Sequence, residues 1–395
     1  MVDNIVNSFR HRPGNSQLIA LLIIAVFFSM VGRTIISPLM PYLQQDLNIT
    51  LATVGALFLW SSISYSLVMI FSGYLTAWIG YGNTVVVALM MIVIGLVVSA
   101  VAGNEVVLAI GMIFIGAGGG TYAPSGIAMI NTRVSIEKRS TAFSFHETGS
   151  NGAVLFAPLI VLASVPFLGW RGILLVLALL AALAAIVFYL FGASESEVGA
   201  KPNLRTIGTI LRLPDAYVAM LIFSTAISGL HGVYSIMPAY LVEHSTWSAE
   251  YVNSLITVSR VIGISFLLMA GPIIRFLGKR NTLILVLLFT AMMTGLIAIT
   301  EGPMLQAAVI LQPALIGVMF PAQLSCISEI GESWYQNVTV SLIITFGMIA
   351  GAGIVPAMVG VLGDMGIGWC GFVAIAAIML VAVAVLVLNP SFGRR

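Results

Sequence analysis

GYLTAWIGYGNT at residues 73–84 returns as GPIIRFLGKRNT at residues 271–282, with glycine at the first and eighth places and Asn-Thr at the end of both copies. Each copy joins one long apolar stretch to the next, so the same helix-turn-helix connection recurs half a chain later. Other anchors keep the register at an offset near 197: Met40 and Pro41 return as Met237 and Pro238, Pro124 as Pro321, and Pro158 as Pro356. The chain therefore reads as two copies of one unit. Parallel repeats of six helices each are an architecture of secondary transporters.

Working outward, the 395 residues are 60% hydrophobic and 8% charged, with a mean hydropathy of +1.10. That balance excludes a soluble domain. A hydrocarbon core about 30 Å thick needs roughly 20 apolar helical residues per crossing. Twelve such stretches are predicted, near 17–43, 51–79, 84–102, 105–130, 140–165, 170–192, 215–242, 249–276, 281–299, 303–327, 335–362 and 369–388. The fold class is an all-α integral membrane protein of two pseudo-symmetric six-helix bundles. The predicted division is 1–192, a cytoplasmic linker at 193–214 containing Glu195, Glu197, Lys201, Pro202 and Arg205, and 215–395.

Arg10, His11 and Arg12 precede the first apolar stretch as in a secretory leader, but that stretch is too long and holds Arg33, so it reads as a retained first helix. With the N-terminus inside, Arg10, Arg12, Arg133, Lys138, Arg139, Lys201, Arg205, Arg212, Arg275, Lys279, Arg280, Arg394 and Arg395 collect on the cytoplasmic side, and Arg171 falls outside. The positive-inside rule then predicts a multi-pass protein of the plasma or bacterial inner membrane with both termini cytoplasmic. A net charge of +2 gives no reason to expect nucleic acid as a partner. Cys326 and Cys370 fall near opposite faces, so no disulfide is expected, and no metal-ligand spacing occurs. No phosphate loop ending in Lys-Ser or Lys-Thr occurs, so neither ATP nor another cofactor is expected, and nothing suggests an enzyme.

Spans 3, 6, 9 and 12 are almost purely aliphatic and suit lipid. Spans 1, 4, 7 and 10 hold Gly, Pro, Ser, Gln and most odd ionisable groups, and suit a central cavity. Span 4 carries Gly116-Ala-Gly-Gly-Gly-Thr-Tyr-Ala-Pro124, a surface that another helix can approach closely.

These features, the two glycine-bounded loops, the glycine-rich part of span 4 and the Glu137-Lys-Arg-Ser-Thr-Ala142 entry to span 5 together resemble the major facilitator superfamily over essentially the whole chain. The resemblance implies alternating access of the two halves around a small-molecule substrate. Where that family has acidic and basic residues in the first loop, this chain has Ala77, Tyr81 and Asn83, and Met112 stands where an arginine is common in span 4.

Five ionisable side chains lie well inside spans: Arg33, His146, Glu147, His231 and Arg260. A charge at membrane depth costs roughly 3 kcal/mol on insertion scales, so each should face a cavity or a partner. Arg33, His231 and Arg260 stand roughly 15 Å below the outer surface by the rise per residue. Each shares a helix face with other polar groups: Ser29 and Ser37 with Arg33, Ser224, Ser228 and Ser235 with His231, and Asn253 and Thr257 with Arg260. Two guanidiniums at one depth would clamp an anion through their planar forks; alternatively, one neutralises Glu147 and the other bonds backbone carbonyls. His231 would bond substrate, carry a proton or act as a neutral donor. Glu147 would carry the coupled proton or close an inner salt bridge, while His146, about 100° away on the helix, is expected to pack between helices.

The expected substrate-binding set is Arg33, Arg260, His231, Ser228 and Thr257, with Glu147 and His231 coupling protons. The expected activity is proton-coupled transport of a small organic anion, a carboxylate first, by a monomer in the lipid bilayer. Related paired arginines in spans 1, 7 or 8 occur in branches of the resembled superfamily that move carboxylates, sugar acids, organic phosphates or nitrate. The alternative is a proton-driven exporter of drugs or other amphipathic compounds, using walls such as Trp60, Tyr65, Met319 and Phe320.

Overall fold

The computed structural model describes residues 14–193, 205–327, 330, 336–389 and 392, without the side chains of 140, 205, 206, 336 and 337. Arg10, Arg12, Glu195, Glu197, Lys201, Pro202, Arg394 and Arg395, together with the side chain of Arg205, lie outside the described residues.

Among the described residues, ten helical stretches are long and apolar enough to cross a bilayer. Two of them are double. Leu51–Ala100 has 50 residues and Ile136–Phe191 has 56, and a straight helix of about 75 Å or more would far exceed the hydrocarbon core. Each turns at a glycine, Gly80 with φ 79° and Gly169 with φ 60°. The two breaks make twelve crossings. The repeat holds at the level of backbone conformation: Gly278, the mate of Gly80, has φ 80°, and Gly366, the mate of Gly169, has φ 75°. A side chain is strained in that region, which explains why these positions kept glycine while the residues around them diverged.

The chain groups into two compact units. The first contains Met1–Leu39 and Ile63–Pro202. Its core joins Leu18, Leu22 and Val26 of span 1 to Leu89 of span 3, Tyr122 and Ile130 of span 4 and Phe188 of span 6. Glycines let the helices close: a Cβ on Gly118 would lie 2.7 Å from the carbonyl oxygen of Ala88, and one on Gly149 would lie 2.5 Å from that of Ile23.

The second unit contains Met40–Ser62 and Asn203–Arg395. Two of its spans are not plain α-helices. Span 7 runs Pro214–Ile227, then a π-helical turn Ser228–Gly232, then Val233–His244. Span 11 runs Gln336–Gly347, a π-helical turn Met348–Ile354, then Val355–Asp364. The two turns pack on each other, because a Cβ on Gly232 would collide with the Gly351 carbonyl and one on Gly351 would come within 2.7 Å of the Ser224 carbonyl. Gln312, where span 10 breaks after Gly302–Leu311, donates through Nε2 to the Gly229 carbonyl at 3.1 Å and to Thr294 Oγ1 at 3.3 Å. Such side-chain donors are how irregular backbone survives where water is scarce.

Residues 40–62 join this unit through polar caps as well as packing. Asp364 accepts from the backbone N–H groups of Leu51 at 2.9 Å and Ala52 at 3.1 Å, filling donors that the first turn of span 2 leaves open. Tyr42 donates to Glu250 at 3.1 Å and Gln44 to Glu243 at 3.3 Å.

Candidate functional site

Arg33 occupies the last turn of Asn15–Thr34, just before span 1 breaks at Ile35 and resumes as Ile36–Leu47. Its guanidinium carbon lies 4.3 Å from the centroid of Tyr65, a buried residue of span 2. The glycine run of span 4 makes the seat. A Cβ on Gly119 would stand 2.8 Å from Arg33 Cδ and 3.1 Å from the Tyr65 ring, and one on Gly120 would collide with the Tyr65 carbonyl.

Arg260, in Ala249–Leu268 of span 8, is buried, with its guanidinium carbon 4.0 Å from the centroid of Tyr234 in span 7. Its buried Nε makes no hydrogen bond. Within its own unit, and among the described residues, neither Arg33 nor Arg260 is paired with a carboxylate. A guanidinium stacked on a ring keeps its edge N–H groups in plane and available to an acceptor.

The other expected groups divide. His231 is half-buried and lies inside the π-helical turn of span 7. Ser228, at the start of that turn, is buried and donates to the Ser224 carbonyl at 2.7 Å. Thr257 is half-buried, one turn before Arg260, and donates to the Asn253 carbonyl at 2.8 Å. Ser29, Ser37, Ser224 and Ser235, expected on open polar faces, are all buried. Hydroxyls that have given their hydrogen to the backbone retain lone pairs and can only accept.

Glu147 is exposed over 59% of its side chain, whereas that of His146 is exposed over 5%. The structure keeps His146 between helices as expected and adds a contact that helical angle alone concealed: its Nδ1 lies 3.3 Å from Glu147 Oε1. The imidazole is long enough to bridge the angle between adjacent residues. On its other side, Nε2 lies 2.9 Å from the hydroxyl of Tyr122, whose ring stacks on it at 6.0 Å between centroids and 2° between planes.

Tyr122, Tyr234 and Gln312 are absent from the expected set, and Tyr65 is expected only in a wall of the alternative exporter. Their one legible signal is position: Tyr122 and Tyr65 meet the only extended glycine run, and Gln312 is a polar residue in an apolar span beside Pro313.

A family model of the Major Facilitator Superfamily matches residues 22–333. The chain belongs to that superfamily. Its ten long, apolar helical stretches among the described residues make this major facilitator protein a multi-pass membrane protein. Among curated relatives, the uridine/deoxyuridine transporter of Lactococcus lactis subsp. cremoris (strain MG1363) is 28% identical over 220 residues, covering 55% of this chain and 44% of that protein. The match thus spans less than half of the relative's length. Among solved structures, a peptide transporter POT superposes with a TM-score of 0.79 at 15% identity, over 99% of this chain and 98% of its own. A bacterial homolog to the human lysosomal transporter Spinster, inward-facing and occupied, gives 0.75 at 13% over 97% and 98%. The nucleoside transporter NupG gives 0.75 at 14% over 94% and 99%. At such identities the likeness shows the major facilitator fold alone.

Proposed function

We propose that this transporter carries a small organic anion, a carboxylate first, by alternating access, and that it is coupled to protons. One observation carries the reading: two guanidiniums inside membrane spans, each laid on a tyrosine ring, have no carboxylate partner within their units among the described residues. Charges at that depth are retained where they serve a pathway or a substrate. Arg33 of the first unit and Arg260 of the second are the anion-recognising groups, with His231, Thr257 and the accepting oxygen of Ser228 as further groups of the second unit. Glu147, with His231 as the second candidate, carries the proton. The protein acts as a monomer in the plasma or bacterial inner membrane with both termini in the cytoplasm.

A second reading, a pyrimidine nucleoside, is favoured by the uridine/deoxyuridine relative. The carbonyl oxygens of a uracil ring would accept from the same guanidinium edges, and its face would stack on the same tyrosines. The two readings separate in a thermal-shift screen of purified protein against mono- and dicarboxylates, sugar acids, phosphates and uridine. Ligands that bind the folded state raise its midpoint. The anion reading expects a carboxylate to stabilise and uridine to leave the midpoint unchanged; stabilisation by uridine alone overturns it.

A further inference from the structure

Protons can be counted from hydrogen-bond geometry, because each bond consumes one hydrogen and each side chain carries a known number. Tyr122 has one hydroxyl hydrogen. It goes to the carbonyl oxygen of Leu22 in span 1, 3.0 Å away, which can only accept. The same hydroxyl oxygen lies 2.9 Å from His146 Nε2, and with its hydrogen already given it must accept there, so Nε2 carries a hydrogen. At the far side of the ring, Nδ1 stands 3.3 Å from Glu147 Oε1. A neutral ring protonated at Nε2 has a bare lone pair at Nδ1, and an ionised carboxylate has lone pairs only. Their contact requires one more proton.

We propose that His146 and Glu147 form a single proton-binding site, one proton being shared between Nδ1 and Oε1, and that Tyr122 is the positioning residue that fixes the ring. This deepens the proton-coupling part of the function proposed above by adding His146 and Tyr122 to it. The two partners differ in the way such a site needs. His146 belongs to the buried face of span 5 with Ala142, Gly149 and Ala153, and Gly149 lets span 1 pack close, since a Cβ there would lie 2.5 Å from the Ile23 carbonyl. Glu147 belongs to the adjoining, polar face with Ser144, Thr148 and Asn151, a stripe at helical spacing that suits a wetted passage rather than lipid. When the proton leaves, two sets of lone pairs face each other and the exposed carboxylate turns outward.

On the three spans that carry these groups, no other charge stands close. Within one turn of Leu22, span 1 presents only apolar side chains, and within one turn of Tyr122, span 4 adds only Thr121 and Ser125 as polar groups. The next charged residues, Arg33 on span 1 and Arg133 on span 4, stand eleven residues further along their helices, about 16 Å in rise. Within one turn on span 5 itself, Glu147 is the only charged neighbour.

Nitrogen-15 NMR of [15N]histidine-labelled protein in lipid nanodiscs reads the protonation of each ring nitrogen without any substrate, so it stands apart from whether the cargo is an anion or a nucleoside. The chain has four histidines, and the signal lost in His146→Gln is assigned. The proposal expects Nε2 of His146 to be protonated at every pH. It also expects wild-type Nδ1 to share its hydrogen with Oε1, and Glu147→Gln, an exposed and isosteric change that leaves the fold intact, to leave Nδ1 a bare acceptor of the amide N–H. Tyr122→Phe should release the ring into a mixture of tautomers. A wild-type ring protonated at Nδ1 alone, or an Nδ1 signal unmoved by Glu147→Gln, overturns the shared proton. An unchanged Nε2–H tautomer in Tyr122→Phe overturns the positioning role.

Discussion

Each unit lays an arginine on a tyrosine, but the two units build that contact from opposite helices. In the first, the cation comes from span 1 and the ring from span 2; in the second, the ring comes from span 7 and the cation from span 8. The supports differ as well. Arg33 is half-buried and rests on glycines of a regular helix, whereas Arg260 is buried and faces a span whose backbone departs from α geometry between Ser228 and Gly232. The repeat therefore preserved turns, as at Gly80 and Gly278, and not the placement of individual functional groups. Equivalent chemistry was reached twice by different local means.

Replacing the forked guanidinium by a point charge breaks the comparison most directly. Arg33→Lys and Arg260→Lys should each weaken substrate binding by roughly 10- to 100-fold, the range for losing a charge-assisted hydrogen bond of about 1.5–3 kcal/mol. Arg260→Lys should cost more than Arg33→Lys, because the more buried donor is the harder to replace with water. Isothermal titration on purified variants measures this, and equal, near-wild-type affinities would remove both arginines from the site.

Glycine substitutions sharpen the difference between the two supports. Gly120→Ala and Gly232→Ala each drive a Cβ into a backbone oxygen, of Tyr65 and of Gly351, and should destabilise the protein by about 1–3 kcal/mol in thermal denaturation. Gly119→Ala meets the Arg33 side chain instead, which can move. It should leave the melting midpoint near wild type while weakening binding, and a fall in midpoint as large as that of Gly120→Ala would contradict the seat assigned to Gly119.

The smallest effect is expected from the rings. Tyr65→Leu and Tyr234→Leu remove a cation–π contact worth about 0.5–2 kcal/mol, and Tyr65→Phe and Tyr234→Phe retain it. Binding should weaken by at least about twofold with leucine and stay near wild type with phenylalanine. If the phenylalanine variants lose as much as the leucine variants, the hydroxyls and not the ring faces matter.

How much of this was legible in the sequence follows from the range of the interactions. Hydropathy reveals spans because crossing a bilayer demands a long local run, and Gly80 with Gly278 reveals the repeat because a positive φ demands glycine wherever it recurs. The π-helical turns of spans 7 and 11 left only clusters of glycine, at 229 and 232 and at 347, 351 and 353, which close packing alone also explains. Arg33 and Arg260 stood out by the cost of charge in lipid, but their ring partners did not, since periodicity orients one helix and says nothing about which aromatic of another will meet it. Glu147 was separated from His146 by helical angle, and only the reach of the imidazole and its anchor on Tyr122 reunite them.

The measurement that bears most directly on the central claim is uptake into proteoliposomes of labelled carboxylates, with labelled uridine run in parallel, under a gradient acid outside. The account expects a carboxylate to accumulate against its gradient in wild type, uridine not to, and accumulation to be lost in Arg260→Lys with the protein still folded. Accumulation of uridine with every carboxylate ignored, or carboxylate uptake undiminished in Arg260→Lys, would contradict it.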